Sequence, residues 1–195
     1  DYRDTLDEGA NNVTLLRRVG QRGAYYASFG WAAISGTSPD QVPTPDTIWT
    51  LQGNNALRPE SPITLTWTND IGIQFRRFIS VDRDYMFTIE QQVVNNSTNS
   101  IDLRPYGLIR RHGEPSDLKN FFILHEGLIR MSDGNLSEEN YDDIRDYKID
   151  EREGTHADRI EVAENGWIGF TDHFWMTNLV PQSGTGFRST AKYFE

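Results

Sequence analysis

The chain has 195 residues, a net charge of −10 and a mean hydropathy of −0.63, the profile of one soluble domain with room for a real core. That charge repels phosphate backbones and anionic lipid, which argues against nucleic acid as a partner. Cysteine is absent, which removes disulfides, cysteine zinc sites and thiol nucleophiles together. No apolar run approaches the roughly 20 residues of a membrane-spanning helix. No signal peptide is visible, and the start at Asp1 instead of Met reads as a piece of a longer or processed chain.

In chain order, residues 1–12 are polar and predict a strand end and loop, and residues 13–16 a short strand. Gln21-Arg22-Gly23 predicts a turn. Tyr25, Ala27, Phe29 and Trp31 alternate with Tyr26, Ser28 and Gly30, which predicts a strand with aromatics on one side. Residues 35–46 hold three prolines, which lack an amide donor, and predict a surface loop. Residues 47–51 predict a strand and residues 52–62 another loop.

Residues 63–96 carry the clearest pattern. Ile63, Leu65 and Trp67 share one face; Ile71, Ile73, Phe75, Ile79 and Val81 the next; Tyr85, Phe87, Ile89 and Val93 the third. Side chains flip face at each step of a strand, so this period of two predicts half-buried strands. Thr68-Asn69-Asp70 and Asp82-Arg83-Asp84 are the joints, since Asn and Asp tolerate positive φ and bond to nearby backbone. The prediction is a three-stranded antiparallel meander.

Residues 95–99 predict a turn. Residues 101–111 predict a strand interrupted at Pro105, which implies an edge or a bulge, and Gly113-Glu114-Pro115 ends it. Residues 121–130 form the most apolar run and fit a buried strand, with a short helix as the competing reading. Residues 133–155 are acid-rich; a short helix starting near Ser137, with Glu138 and Glu139 in its first turn, is expected. Residues 159–162, 167–171, 174–180 and 186–194 predict four further strands. Roughly ten or more short strands at 8–12-residue spacing argue for an all-β sandwich with at most one or two short helices.

Candidate chemistry is sparse. His112, His125, His156 and His173 fall into no metal-binding spacing; His125-Glu126 opens like a zincin motif, but Ile129 occupies the place of its second His. The Arg110-Arg111-His112-Gly113-Glu114 cluster suits a carboxylate or sugar, though a solvated strand end is the expected reading. Asp142-Asp143 and Glu138-Glu139 are neighbours in sequence, which says nothing of the 5–9 Å separation across a sugar that glycosidases need; a solvated acidic face is expected. The segment from Asp133 to Ser137 begins like a calcium loop, with its Gly and terminal Glu misplaced. Sequons at Asn12, Asn95, Asn96 and Asn135 read as chance occurrences in an Asn- and Ser-rich chain. Trp31, Trp49, Trp67, Trp167 and Trp175 are expected in cores, because each ring buries a large area. No catalytic, cofactor-binding or metal-binding residue is assigned.

Four blocks, in order, carry a resemblance. Ile79-Ser80-Val81-Asp82-Arg83-Asp84-Tyr85-Met86-Phe87 resembles the strand, R-G-D-Y, strand hairpin in the large periplasmic domain of YidC membrane protein insertases. Tyr106-Gly107-Leu108-Ile109-Arg110-Arg111-His112-Gly113 and Ile123-Leu124-His125-Glu126-Gly127-Leu128-Ile129 look like the next two blocks of alphaproteobacterial members. Asn165-Gly166-Trp167-Ile168-Gly169-Phe170-Thr171-Asp172-His173-Phe174-Trp175, running on to Val180-Pro181, is similar to that family's G-G-W segment. Arg83 stands where Gly is common, so Asp82 and Asp84 must serve that turn; Asn165 replaces the first Gly, and Asn also reaches the left-handed region.

The resemblance implies a β-supersandwich like that of galactose mutarotases, spanning residues 1–195 as one periplasmic domain of an inner-membrane protein. It implies a parent that inserts and folds inner-membrane proteins, alone or beside the Sec translocon. It implies contacts with SecDF and nascent membrane-protein segments, and no enzymatic activity. The family's membrane-embedded Arg belongs to a core outside this chain and has no counterpart here. A sugar-binding or mutarotase-like sandwich is the alternative, with His112 or His125 as acid and Glu114 or Glu126 as base; a purely structural spacer is the third reading. Residues 133–153 and 113–120 are the expected partner-facing segments, as polar insertions between apolar strands, with plain solvated loops the competing reading. Unpaired strand edges are the expected places for an extended peptide.

Overall fold

A computed structural model describes residues 3, 5–115, 118, 124–172 and 175–194. Its described residues form thirteen strands, one short α-helix and one turn of 3-10 helix, Pro39–Gln41. All the strand pairings registered below are antiparallel. The architecture is the all-β sandwich that the strand spacing implied.

The chain divides into two compact units, residues 29–107 and residues 1–28 with 108–195. Strands β1 (Tyr25–Ala33) and β6 (Leu103–Arg111) pair with each other, and the division falls within both.

In the unit of residues 29–107, β2 (Thr50–Arg58), β3 (Ser61–Thr68), β4 (Ile73–Val81) and β5 (Phe87–Asn95) form one sheet in sequence order. The meander is as predicted. Ile63 lies opposite Ile79, Trp67 opposite Phe75, and Phe75 opposite Val93, so the apolar stripes meet on one face. That face packs against Trp31 of β1, Val42, Ile101 and Leu103, with Ile73 and Phe75 fully shielded at its centre. Phe75 sits edge-on to Trp31 at 5.0 Å and 5.6 Å from Trp67. Burying each such side chain contributes about 2 kcal/mol.

Several boundaries differ from expectation. Residues 13–16 form no strand: a lone bridge, Arg17 to Tyr25, follows them, and no strand among the described residues supplies them with backbone partners. Residues 47–49 precede β2, and most of the loop expected at 52–62 is β2 itself. Its Gln-Gly-Asn-Asn run lacks apolar alternation, yet β3 supplies the ladder, with a register shift between Gly53 and Arg58. Ile71 and Tyr85 lie in turns, not strands. The Asn69 Oδ1 accepts the Ile71 and Ile73 amides, and the Asp82 Oδ1 accepts those of Asp84 and Met86, so each turn closes two residues later than predicted. Tyr85 takes the left-handed φ of 63°. Pro105 lies inside an unbroken β6, whose one strand partner among the described residues is β1, as an edge position allows.

In the other unit, β12 (Met176–Leu179), β11 (Gly166–Thr171), β7 (Gly127–Ser132) and β8 (Asn135–Asn140) form one sheet. A second joins β13 (Phe187–Tyr193), β10 (Thr155–Val162) and β9 (Ile149–Asp150). Leu128, Ala191 and Ile144 meet in the core between them, flanked by Ile168, Phe170, Tyr141, Tyr147 and Tyr193. The expected strand at 121–130 begins only at Gly127; Phe121, Phe122 and Ile123 lie outside the described residues, as do His173 and Phe174.

The helix is α1 (Tyr141–Arg145), not one beginning at Ser137. Asn140 caps it in a reciprocal capping box with Asp143. Glu138 and Glu139 belong to β8, because Asp133-Gly134 is a two-residue hairpin loop joining Ser132 to Asn135. Both loop residues have positive φ, 47° and 88°, the requirement of a type I′ turn.

Candidate interaction surface

The most unusual position in residues 29–107 is Arg77. On β4 the inward stripe reads Ile73, Phe75, Arg77, Ile79, Val81, and Arg77 lies between Leu65 of β3 and Gln91 of β5. A cation in an apolar stripe loses hydration, and burial lowers its pKa, with Tyr106 opposing that shift. Two indoles supply what water does not: the guanidinium lies 4.3 Å from the Trp49 ring centre and 5.4 Å from that of Trp31. The two rings are stacked at 6.4 Å. Among the described residues no carboxylate or other hydrogen-bond acceptor meets Arg77, and its Nε is shielded from solvent without a partner.

Trp31 also lines an open groove of about 460 Å³, together with Val93, Ile101, Leu103 and Pro105. Its mouth carries polar Asn95 and Ser100. Beside it, the Gln91 side-chain amide donates to the Gly30 carbonyl at 2.9 Å. β5 ends the sheet: β4 is its one strand partner among the described residues, and nine consecutive pairs run without a register shift. Its outer backbone groups offer a straight template, whereas β2 at the opposite end is broken by its register shift.

In the other unit the polar residues serve the fold. Arg111 is no solvated strand end. Its guanidinium donates to both oxygens of Asp172, at 2.6 and 2.7 Å, and lies 4.5 Å from the Tyr25 ring centre. Burial works to lower its pKa; the bonds and charge of Asp172 outweigh that, and the pKa ends raised. Burial likewise raises the Tyr141 phenol beside it. Arg110 covers the Phe194 ring. Arg130 is buried in β7 and holds Glu139 at 2.9 Å and Asp158. Glu139 also accepts the Tyr147 hydroxyl and is half-buried, whereas Glu138, Asp142 and Asp143 are exposed, as a solvated acidic face requires.

The Asp133 carboxylate accepts three successive backbone amides, of Ala163, Glu164 and Asn165, at 2.7 to 3.1 Å. Those bonds hold its pKa below the usual carboxylate range, the Ala163 bond foremost. It ties two loops together, and the calcium-like opening of this segment is a hairpin turn.

The acid–base pairs considered for sugar chemistry are each held elsewhere. His112 stacks on Tyr26, Glu114 pairs with Arg145, and His125 bonds the Leu128 carbonyl at 2.7 Å. Glu126 is buried. His156 bonds the Tyr147 carbonyl. The groove beside Trp31 is not lined by a histidine. All five tryptophans are at least half-buried, and Trp31, Trp49 and Trp67 belong to the core of residues 29–107. The segment 133–153 is a hairpin and helix that lend Ile144, Tyr141 and Tyr147 to the core, so it is not a free polar insertion. Of the segment 113–120, residues 116, 117, 119 and 120 lie outside the described residues. The residue that sequence reasoning passed over is Arg77, and the signal was there: the period-two stripe of β4 is apolar at 73, 75, 79 and 81 and charged at 77.

A family model described as the YidC periplasmic domain matches residues 1–194. The chain belongs to the YidC periplasmic domain family. Among curated members, it is 53 % identical over 193 residues to the membrane protein insertase YidC of Roseobacter denitrificans, covering 99 % of this chain and 32 % of that protein. It is 51 % identical over 195 residues to that of Ruegeria sp. strain TM1040, covering 100 % of this chain and 32 % of the relative. The YidC of Jannaschia sp. is 48 % identical over 186 residues, covering 95 % and 30 %. The chain thus spans about a third of the length of the YidC relatives it matches. Among the described residues no helix is long and apolar enough to cross a membrane.

Proposed function

We propose that this chain is the non-catalytic, outward-facing periplasmic part of a membrane protein insertase, held at the inner membrane by segments outside these residues. Its task is to hold other proteins: nascent membrane-protein segments and translocon components such as SecDF. Family membership supports the setting. The single structural observation that supports the task is the edge of β5, which pairs with β4 without a register shift, has no second strand partner among the described residues and lies beside an apolar groove. Such an edge recruits an extended segment through backbone bonds, with little demand on its sequence.

Photo-crosslinkers at Thr88, Glu90 and Gln92 of β5, in the full-length insertase in cells, test this reading. Adducts with nascent inner-membrane proteins or translocon subunits are expected from β5. The same adducts from a probe at Thr50 or Gln52 of β2 are not expected. Equal or absent labelling from the two strands would end the assignment.

We also propose that residues 1–195 make one domain of galactose mutarotase-like supersandwich type. The thirteen strands and the near absence of helix support it. No observation in the structure favours sugar chemistry, because the histidines and carboxylates that it needs are occupied by other contacts.

A further inference from the structure

We infer that Arg77 is the recognition point for a carboxylate carried by an apolar, extended peptide, whose side chains occupy the groove lined by Trp31, Val93, Leu103 and Pro105. The inference rests on the reading of this chain as a peptide-holding domain and names the chemistry of what is held.

The argument begins from an imbalance. The chain carries 29 acidic residues against 19 basic ones, so a cation has ample choice of partners. The other arginines of this fold that are drawn inward have taken them: Arg111 has Asp172, and Arg130 has Glu139 and Asp158. Arg77, on the inward face of β4, has no acidic partner among the described residues. Two indoles flank its guanidinium carbon, at 4.3 and 5.4 Å from their ring centres, and its Nε–H has no acceptor among the described residues. A guanidinium edge presents paired donors in the spacing of the two oxygens of a carboxylate. Contact with two rings restricts the side chain beforehand, so little of its freedom is lost when the anion arrives.

The apolar half of the ligand follows from Trp31, whose ring centre lies 5.4 Å from the Arg77 guanidinium and which also lines the groove. Val93 of β5 and Leu103 and Pro105 of β6 continue that lining without a charged group. A ligand with an anionic end and an apolar body matches both halves. A chain terminus and an internal Asp or Glu share this chemistry.

Three acetylated Val/Thr-rich hexapeptides separate the possibilities by titration into the chain, read by tryptophan fluorescence. One ends in a free carboxylate, one in an amide, and one is amidated with a central Glu. We expect at least one carboxylate peptide to bind about tenfold tighter than the uncharged amide, and this advantage to shrink with added salt. Success of the first alone identifies a chain terminus, and success of the third a side chain. Arg77→Met should erase the advantage while leaving the affinity of the uncharged amide in place, and Arg77→Lys should keep part of it. Equal affinities for all three peptides, or an advantage that survives Arg77→Met, overturn the inference while the β5 crosslinks still decide the wider reading. If Arg77→Met does not fold, the Arg77 Nε–H resonance of the unaltered chain is read instead. It should shift with the carboxylate peptides only, and a resonance indifferent to them also overturns the inference.

Discussion

Arg111 and Asp172 stand 61 positions apart in the chain, yet one guanidinium nitrogen reaches both carboxylate oxygens, at 2.6 and 2.7 Å. Their side chains are only 16 % and 11 % exposed, so each is the other's substitute for water. Removing one leaves an uncompensated charge. Arg111→Met or Asp172→Asn should each cost about 3 kcal/mol, measured by urea unfolding. The double change to Met and Leu should recover much of that loss, since no charge is then stranded.

Asp133 anchors the 163–165 backbone, and the consequence is a pH dependence. Its folded pKa is lowered by the Ala163, Asn165 and Glu164 amides. That of Glu153 is lowered chiefly by the Lys192 bond. That of Asp150 is lowered although burial opposes it, through the Glu153 amide and Arg159. A carboxylate with a lowered folded pKa stabilises the fold above its unfolded pKa, about 4, and loses that contribution as pH falls through the folded value. Stability should therefore be level above about pH 5 and decline below about pH 4. Asp133→Asn, which keeps tolerance of the left-handed φ, should flatten that decline; an unchanged acid limb would contradict the anchor.

Gly127 opens β7 with a φ of 155°, and a Cβ there would lie 2.3 Å from the Glu139 carbonyl oxygen. That oxygen belongs to the paired strand and cannot swing aside. Gly127→Ala should destabilise by about 2 kcal/mol through a forced parting of β7 and β8. Hydrogen exchange in Leu128–Met131 should quicken more than that in β4.

Phe75 and Leu128 sit in separate cores, at 0 % and 3 % exposure. Phe75→Ala should cost about 4 kcal/mol and Leu128→Ala about 3 kcal/mol. If residues 1–195 form one domain, each change lowers a single unfolding transition that is the same by tryptophan fluorescence and far-UV circular dichroism. Two separated transitions, one shifted by each variant, would mean that the units unfold independently.

The meander was legible because its three strands each show a solvent face and a core face, and because Asn69 and Asp82 are turn formers whose side chains bond the backbone ahead of them. β2 was illegible for the opposite reason. Its polar middle lacks apolar alternation, and the ladder to β3 makes it a strand. The hairpin at Asp133-Gly134 carried its own signal, an Asp-Gly pair, which the acid-rich residues after it obscured. Arg77 stood in plain view as the charged member of an apolar stripe. Arg111 did not, since nothing local in the sequence links it to Asp172.

The two rims of the β2–β5 sheet are unlike, one puckered at Gly53 and one straight from Phe87 to Asn95. Copies of this sheet therefore have no matching seam by which to tile end to end. A guest ribbon can be zipped on at one side, and growth halts there because the far side offers no continuation. For any sheet that pairs with an extended segment, that asymmetry separates transient custody from fibre formation.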